Sequence, residues 1–581
     1  MRPVEEKTFQ TSDGVALFYR YWPAAATPKG AIVLFHRGHE HSGRMAHLAD
    51  ELELPDFAIF AWDARGHGRS PGERGFSPSL GASVRDVQTF VDHITATYGI
   101  TIEDMAVVAQ SVGAVLVSVW AHDYAPKIRC MVLASPAFKV KLYVPFARAG
   151  LKMQHRWRGK FFVNSYVKPQ FLTHDPERIA SYRTDPLISR PIAVNILLDL
   201  YEASERVVAD ARAITVPTQL LISGSDWVVH HGPQHRFYER LGTPIKERHV
   251  LPGFLHDTLG ELGRPVVVGR ARKFILERFD ESLNRPSLIE ADRMSFTRDE
   301  SDALASPLPL LSPRGLYWAL MRLNMKIGGL LSEGVALGHR TGFDSGSTLD
   351  YVYRNEARGR GWIGRLIDRN YLDAIGWRGI RQRKRHLEEL LRDAMRQLRD
   401  KGMPVHLVDI AAGHGRYVIE AIGAEAKPDS ILLRDYSDIN VEAGARLIAE
   451  KGLSDIARFV TGDAFDRDSL AGIEPGPTLG VVSGLYELFP DNTMVRRSLA
   501  GLAAAIPAGG YLAYTGQPWH PQLELIARAL TSHRQGQAWV MRRRTQAEMD
   551  QLVEAAGFRK LDQRIDEWGI FTVSLAERIG P

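Results

Sequence analysis

A single cysteine, Cys130, among 581 residues leaves no intramolecular disulfide to form, which suits a reducing compartment and points to the cytoplasm. No uninterrupted run of about 18 apolar residues occurs, so no membrane-spanning helix is expected. The opening MRPVEEKTFQTSDG has neither an apolar core nor a small-residue cleavage site, and export by a signal peptide is not expected. A dominant charge is missing as well. The 73 Lys+Arg against 68 Asp+Glu give a formal +5 and a pI near 9.1, short of the polybasic composition that binds nucleic acid. One local absence is sharper: from Tyr124 to His174 there is no Asp or Glu.

A chain of 581 residues is too long for one core and predicts at least two domains. In the first half, TFQTSDGVALFYRYW reads as two short strands around Asp13-Gly14, a pair that favours a hairpin turn. The apolar runs Ala31 to Phe35, Phe57 to Asp63, Met105 to Gln110 and Met131 to Ser135 alternate with helical segments such as Ser83 to Tyr98. Continuous apolar strands of this kind predict a parallel sheet covered on both faces. The run MAVVAQSVGAVLVSVW breaks at Gln110-Ser111-Val112-Gly113 and resumes as a helix, the pattern of a strained strand-to-helix turn that presents a nucleophile. The plainer reading of Ser111 is a helix N-cap. Two later strands end near Asp226 and near a loop carrying His256, and such ends share one edge of a parallel sheet.

Several motifs now agree, and about the first 285 residues resemble an α/β-hydrolase of the monoacylglycerol lipase, lysophospholipase and serine aminopeptidase group. The group's HGxxEHSxR loop stands here as His36 to Arg44, its DxRGHGxS as Asp63 to Ser70, and its Ser, Asp, His order as Ser111, Asp226 and His256. The resemblance implies nucleophile, orienting carboxylate and general base in that order, with the oxyanion met by the backbone N–H groups of Gly38 and Val112. Two residues depart from the pattern: Ala109 replaces the first elbow glycine, and Arg37 places a long cation beside the oxyanion loop, where it could alter which acyl or head group is accepted or obstruct the hole. Asp63, Arg65 and His67 read as structural supports behind the elbow. The spacings of His39, His41, His230, His231 and His235 match no zinc motif, and no metal is predicted.

The expected domain, 1–285, carries an insertion at about 137–214, the lid of this fold. Its acid-free part alternates cations with Phe138, Tyr143, Phe146, Trp157, Phe161, Phe162 and Tyr166. That composition suits a lipid-like substrate or peripheral contact with an anionic membrane at its inner face; the alternative is a solvated basic face with its aromatics in the core.

Residues 286–345 are expected to be a linker and an apolar helix, on the Ser/Asp/Glu-rich run, the prolines at 307, 309 and 313, and the broken apolar stretch Gly315 to Gly338. That stretch reads as an interdomain or core helix rather than a membrane insertion. In 346–581 a basic helical segment leads to PVHLVDIAAGHGRYVIEAIG, a strand, a small-residue loop and a helix. Further strands end at Asp435 and Asp463, and another precedes Gly484 to Glu487. From about Leu349 to Glu577 the chain resembles a class I S-adenosylmethionine-dependent methyltransferase with a Rossmann-like fold. The family's D/ExGxGxG is Asp409 to Gly415, with Ala411 in the first glycine position. The resemblance implies Asp409, Ala411, Gly413 and Gly415 around the methionine part of S-adenosylmethionine, Asp435 on the ribose, and Asp463 with Ala464 at the adenine. Local readings remain beside it, an Asx turn for Asp435 and an N-cap for Asp463.

The expected fold class is therefore α/β in two domains, and the whole chain resembles a bacterial fusion of the two enzymes. The function expected is serine hydrolysis of an acyl ester, monoacylglycerol or lysophospholipid being candidates, plus methyl transfer to an acceptor that no motif identifies. The alternative is that one half alone is catalytic while the other senses cofactor or docks. No nucleic-acid partner is expected, and nothing in the sequence indicates the oligomeric state.

Overall fold

The computed structural model describes residues 2–143, 146–283, 285–309, 311–423, 427–534 and 536–580. The chain divides into two compact units, Met1–Pro286 and Ser287–Pro581.

In the first unit, β1 (Glu5–Gln10) and β2 (Ala16–Trp22) pair antiparallel across the turn that holds Gly14 at φ 79°. There follow β3 (Gly30–Phe35), β4 (Phe57–Trp62), β5 (Met105–Gln110), β6 (Cys130–Ala134), the short β7 (Phe162–Asn164) and β8 (Pro191–Ala193), then β9 (Thr218–Ser223) and β10 (Lys246–Leu251). The main sheet runs β1-β2-β4-β3-β5-β6-β9-β10, parallel from β4 to β10. Every residue of β3, β4, β5, β6 and β9 is buried, as a parallel sheet covered by helices requires.

The insertion forms the β7–β8 ribbon and several helices. Its helix Ala147–Arg158 buries none of its residues, and Phe146 and Trp157 are 89% and 86% exposed. Of the two readings of the lid, outward aromatics hold for Tyr143, Phe146 and Trp157, whereas Phe138 is in the core. Its cations are partly matched from other segments: Arg148 pairs with Glu205, Lys152 with Glu202 and Lys160 with Glu73.

The second unit begins inside the stretch expected as a linker, and that stretch is largely helical. Ser295 caps the helix Phe296–Ala305 by accepting from the Arg298 N–H, and Ser312 caps Pro313–Gly329 in the same way. Pro313 stands in the first turn, where its missing N–H costs nothing, so a residue that reads as linker punctuation is a helix start. The apolar run breaks after Gly329, and Ser332 caps the next helix, Glu333–Thr341. Among the described residues no helix is long and apolar enough to cross a membrane.

The second sheet comprises β11 (His406–Asp409), β12 (Ser430–Asp435), β13 (Ala457–Thr461), β14 (Leu479–Val482), β15 (Tyr511–Gly516), β16 (Phe558–Ile565) and β17 (Thr572–Arg578). Its order is β13-β12-β11-β14-β15-β17-β16, parallel except for β17, which is antiparallel to both neighbours. The order reverses between β11 and β14, and ligands of open α/β sheets bind at such a reversal beyond the carboxyl ends of the strands. The long helix Ile375–Asp400 lays Leu387, Leu390, Leu391, Ala394, Met395 and Leu398 against this sheet. Each fully buried leucine there contributes roughly 1.5–3 kcal/mol.

Candidate active sites

In the first unit β5 leads straight into Ser111, held at φ 55° and ψ −114°. A non-glycine residue in this region is strained, and the neighbouring fold maintains it. Gly113 is what permits the turn: a Cβ there would lie 2.5 Å from the His36 carbonyl oxygen. Although Ser111 precedes the helix Val112–Tyr124, its hydroxyl caps nothing. Its Oγ instead lies 2.7 Å from Nε2 of His256, whose Nδ1 is 2.7 Å from Oδ2 of Asp226. With Nδ1–H donating to Asp226, Nε2 is free to accept the serine proton. All three side chains are buried. Burial opposes ionisation of Asp226, but His256 and the amides of Val229 and Val228 outweigh it and hold the carboxyl below its ordinary range.

Gly38 lies against the start of that helix, where a Cβ would sit 3.1 Å from Cγ2 of Val112. The guanidinium of Arg37 is engaged: Nε and Nη2 donate to Glu40 at 2.6 and 2.5 Å, and Asp257 is 3.8 Å away. Burial works against the charge, yet Asp257 and Glu40 more than compensate and raise its pKa. A bidentate charged pair of this kind is fixed in direction, so the cation beside the oxyanion loop is a strut. Ala109 fits into β5 fully buried, between Phe35 and Leu133.

Behind the turn, Asp63 accepts from the Ser42 and Arg69 amides at 2.6 and 2.8 Å, and Arg65 bridges Asp13 and Asp86. Burial lowers the pKa of His67 to about 3 and that of His39 to about 4, so both are neutral at ordinary pH. The sequence reading missed Asp257, which binds Gln110 and Arg178 at 3.1 and 3.0 Å and so fixes the strand end beneath Ser111. Its place next to His256 was the one available signal.

In the second unit a cleft of about 750 Å³ opens over the carboxyl ends of β11, β12 and β13. Ala411, Gly413, Gly415, Asp435, Asp463 and Ala464 line it. Gly413 and Gly415 have φ 56° and 72°, and a Cβ on Gly415 would strike Leu433 at 2.3 Å. Asp435 ties the loop to β12, accepting from the Gly413 N–H at 3.0 Å through Oδ2 and from Ser437 and Asn440 through Oδ1. That includes the local Asx turn of the plainer reading, and Asp463 makes its own with the Phe465 N–H at 2.8 Å.

Asp409 differs from expectation. It is completely buried and does not line the cleft; its Oδ1 accepts from the Ala411 N–H at 3.2 Å and so shapes the loop from behind. The glycine-lined turn, the acidic strand end and the volume fit an adenosyl ligand that needs close backbone approach and a diol partner.

The family model described as "Putative methyltransferase" matches residues 271–578. The chain belongs to this family. YnbC of Escherichia coli is 58% identical over 575 residues, 99% of this chain and 98% of that protein. A second model, "Serine aminopeptidase, S33", matches residues 26–263. Within the first unit the chain is 26% identical to a monoacylglycerol lipase of Mycolicibacterium smegmatis, over 47% of this chain and 96% of that protein. It is also 32% identical to the human monoglyceride lipase, over 43% of this chain and 83% of that protein. A hydrolase domain and a methyltransferase-family domain thus share one polypeptide.

The methyltransferase-family domain also holds polar groups that sequence reasoning did not assemble. Arg383, Glu487 and His520 are buried together in one region, the first two 3.6 Å apart. They come from a helix, a short 3-10 turn after β14 and a loop after β15, and nothing in their local sequence links them. Tyr486, beside Glu487 in the chain, turns away and donates to Ser498 at 3.0 Å.

Burial pushes the Asp409 carboxyl up to about 7, against the Tyr417 hydroxyl and the Ala411 amide, which favour its ionised form. Because the unfolded value is about 4, the protonated form favours folding: its contribution is complete below about pH 4 and lost as pH rises through about 7. The thermal midpoint of the methyltransferase-family domain is therefore expected to fall between pH 5 and 8 more steeply in the wild type than in Asp409→Asn, as followed by calorimetry. Equal slopes would contradict this assignment of the proton.

Proposed function

We propose that the chain is a bifunctional enzyme, a serine hydrolase of acyl esters in the first unit and an S-adenosylmethionine-dependent methyltransferase in the second. The observation that carries the hydrolase is the pair of 2.7 Å contacts joining Ser111, His256 and Asp226 on a strained turn. His256 takes the proton of Ser111 as the hydroxyl attacks the ester carbonyl, and Asp226 holds the imidazole and stabilises its charged form. The N–H groups of Gly38 and Val112 receive the developing oxyanion. His256 then returns the proton to the leaving alcohol, and water repeats the sequence on the acyl-enzyme.

A lipid-like ester, such as a monoacylglycerol or lysophospholipid, accords with the lipase relatives and with the exposed aromatics of the lid. Peripheral contact of that lid with an anionic membrane, from the cytoplasmic side, belongs to the same reading.

In the second unit Ala411, Gly413 and Gly415 would lie along the methionine part, Asp435 would accept from the ribose hydroxyls, and Asp463 and Ala464 would border the adenine. Once bound, S-adenosylmethionine supplies an electrophilic methyl group on its sulfonium. Asp409 acts on this ligand only by setting the loop.

The hydrolase substrate is tested with the full chain by comparing a long-chain 1-monoacylglycerol, a lysophospholipid and a glycerol monoacetate. Fatty-acid release is expected with kcat/KM higher for the monoacylglycerol than for the acetate. No hydrolysis of any of the three would overturn the proposal.

A further inference from the structure

Beside the cofactor cleft lies a second cavity of about 300 Å³. Asp344, Leu349, Arg383, Gly484 and Leu488 line both spaces, so they meet at these residues. The walls of the cavity are mostly apolar. Trp377 and Trp539 stack at 6.3 Å with their planes 26° apart, and Ile380, Ile526, Leu530 and Phe571 add to the lining.

Several of its polar groups present donors. The buried guanidinium of Arg383, where the two spaces meet, is 3.6 Å from Glu487. Nε2 of Gln517 and Nε1 of Trp539 are buried without a hydrogen-bond partner among the described residues. Burial depresses the pKa of His520 to about 3, and its Nδ1 accepts from the Gln522 N–H at 3.0 Å, which leaves the proton on Nε2. Asp344 is already committed to Ser532 and His533. Apolar walls with a few convergent polar groups describe a site for a small amphipathic molecule.

The outer wall adds a second observation. The helices Pro313–Gly329 and Gly361–Leu372 each turn one side to this cavity, through Met325 and Gly328 and through Ile367 and Tyr371. Their opposite sides are apolar and exposed: Leu320 is 58%, Leu366 61% and Trp362 71% accessible. The first helix contains no carboxylate, and the one in the second, Asp368, is buried and bonded to Ser332 and Tyr351. Exposed cations, Arg322, Lys326 and Arg365, accompany that surface, while Arg314 pairs with Glu524. Helices that expose apolar and cationic side chains and no carboxylate of their own suit the surface of an anionic lipid phase.

We propose that this cavity is the methyl-acceptor site and that it takes the tail of a single-headed amphiphile, with the head at Arg383 and Glu487. The proposal deepens the methyl-transfer reading and rests on it. In the transfer, a lone pair on the head-group oxygen or nitrogen forms the bond to the methyl carbon as the methyl–sulfur bond breaks. The electron pair stays on sulfur, leaving the neutral thioether. A carboxylate head has no proton to lose, whereas an alcohol or amine head gives one to water.

The test uses the full chain and monomeric dodecanoate, dodecanol and dodecylamine against their four-carbon counterparts. Binding is measured calorimetrically without cofactor, and transfer with methyl-labelled S-adenosylmethionine. At least one dodecyl compound is expected to bind and to accept label, with affinity rising roughly three- to fourfold per methylene. Ile380→Trp and Leu530→Trp, which fill the cavity, are expected to weaken that binding roughly tenfold or more while S-adenosylmethionine still binds, which also shows that the variants fold. Presenting the preferred compound as monomer and in phosphatidylglycerol vesicles separates the two sources; transfer from either supports the site. If S-adenosylmethionine binds but no dodecyl compound accepts label, or the four-carbon compounds do equally well, or both tryptophan variants bind unchanged, the inference is overturned alone. If S-adenosylmethionine does not bind, the methyl-transfer reading fails and the inference falls with it.

Discussion

Ser111→Ala is expected to lower kcat for ester hydrolysis by about a million-fold, the scale on which removal of a catalytic serine acts in serine hydrolases. The hydroxyl that is lost is the one 2.7 Å from His256, and no other described serine bonds to that imidazole among the contacts of the site. Alanine retains the Cβ and the strained φ of 55°, so the turn is kept and KM is expected to move little. His256→Ala is expected to cost about as much, and the double variant little more than either, because the residues act as one unit. Initial rates with a long-chain monoacylglycerol, alongside the thermal midpoint, separate loss of chemistry from loss of fold. A Ser111→Ala enzyme retaining a tenth of the wild-type rate would assign the nucleophile elsewhere.

Asp435→Ala is expected to weaken S-adenosylmethionine binding by roughly 10- to 150-fold, the equivalent of one charge-assisted hydrogen bond of about 1.5–3 kcal/mol. Two losses combine. The carboxylate that would accept from the ribose disappears, and the Gly413 N–H loses the 3.0 Å bond that holds the glycine turn to β12. Asp435→Asn is expected to lie between the two, since it retains an acceptor for Gly413 while losing the charge. Ester hydrolysis is expected to stay at the wild-type rate in both, because unit 1 is a separate compact body of the chain. Calorimetric titration gives the affinities, and unchanged binding in Asp435→Ala would remove this residue from the cofactor site.

The elements that the sequence reveals best are those whose chemistry is local. The buried strands of the first sheet are continuous apolar runs, and Gly113 and Gly415 stand where a Cβ would collide with the His36 carbonyl or with Leu433. The positions of Ser111, Asp226 and His256 beyond the carboxyl ends of β5, β9 and β10 place them on one edge, and the contacts of 2.7 Å follow. Three matters were not legible. The Ser/Asp/Glu-rich stretch after residue 286 has the composition of a linker but folds as capped helices, because serine and proline serve both as turn residues and as helix starts. Arg37 reads as an obstruction until its partners Glu40 and Asp257 are known. The cavity of Trp377, Arg383, Glu487 and Trp539 is assembled from segments up to 162 residues apart in sequence (539 − 377), which no periodicity records.

A functioning serine nucleophile at the carboxyl end of β5 is revealed by mapping a fluorophosphonate adduct on the intact chain. The prediction is a mass increment confined to the peptide containing Ser111, lost in Ser111→Ala and suppressed in His256→Ala. An unlabelled wild-type chain, or equal labelling of Ser111→Ala, would contradict it.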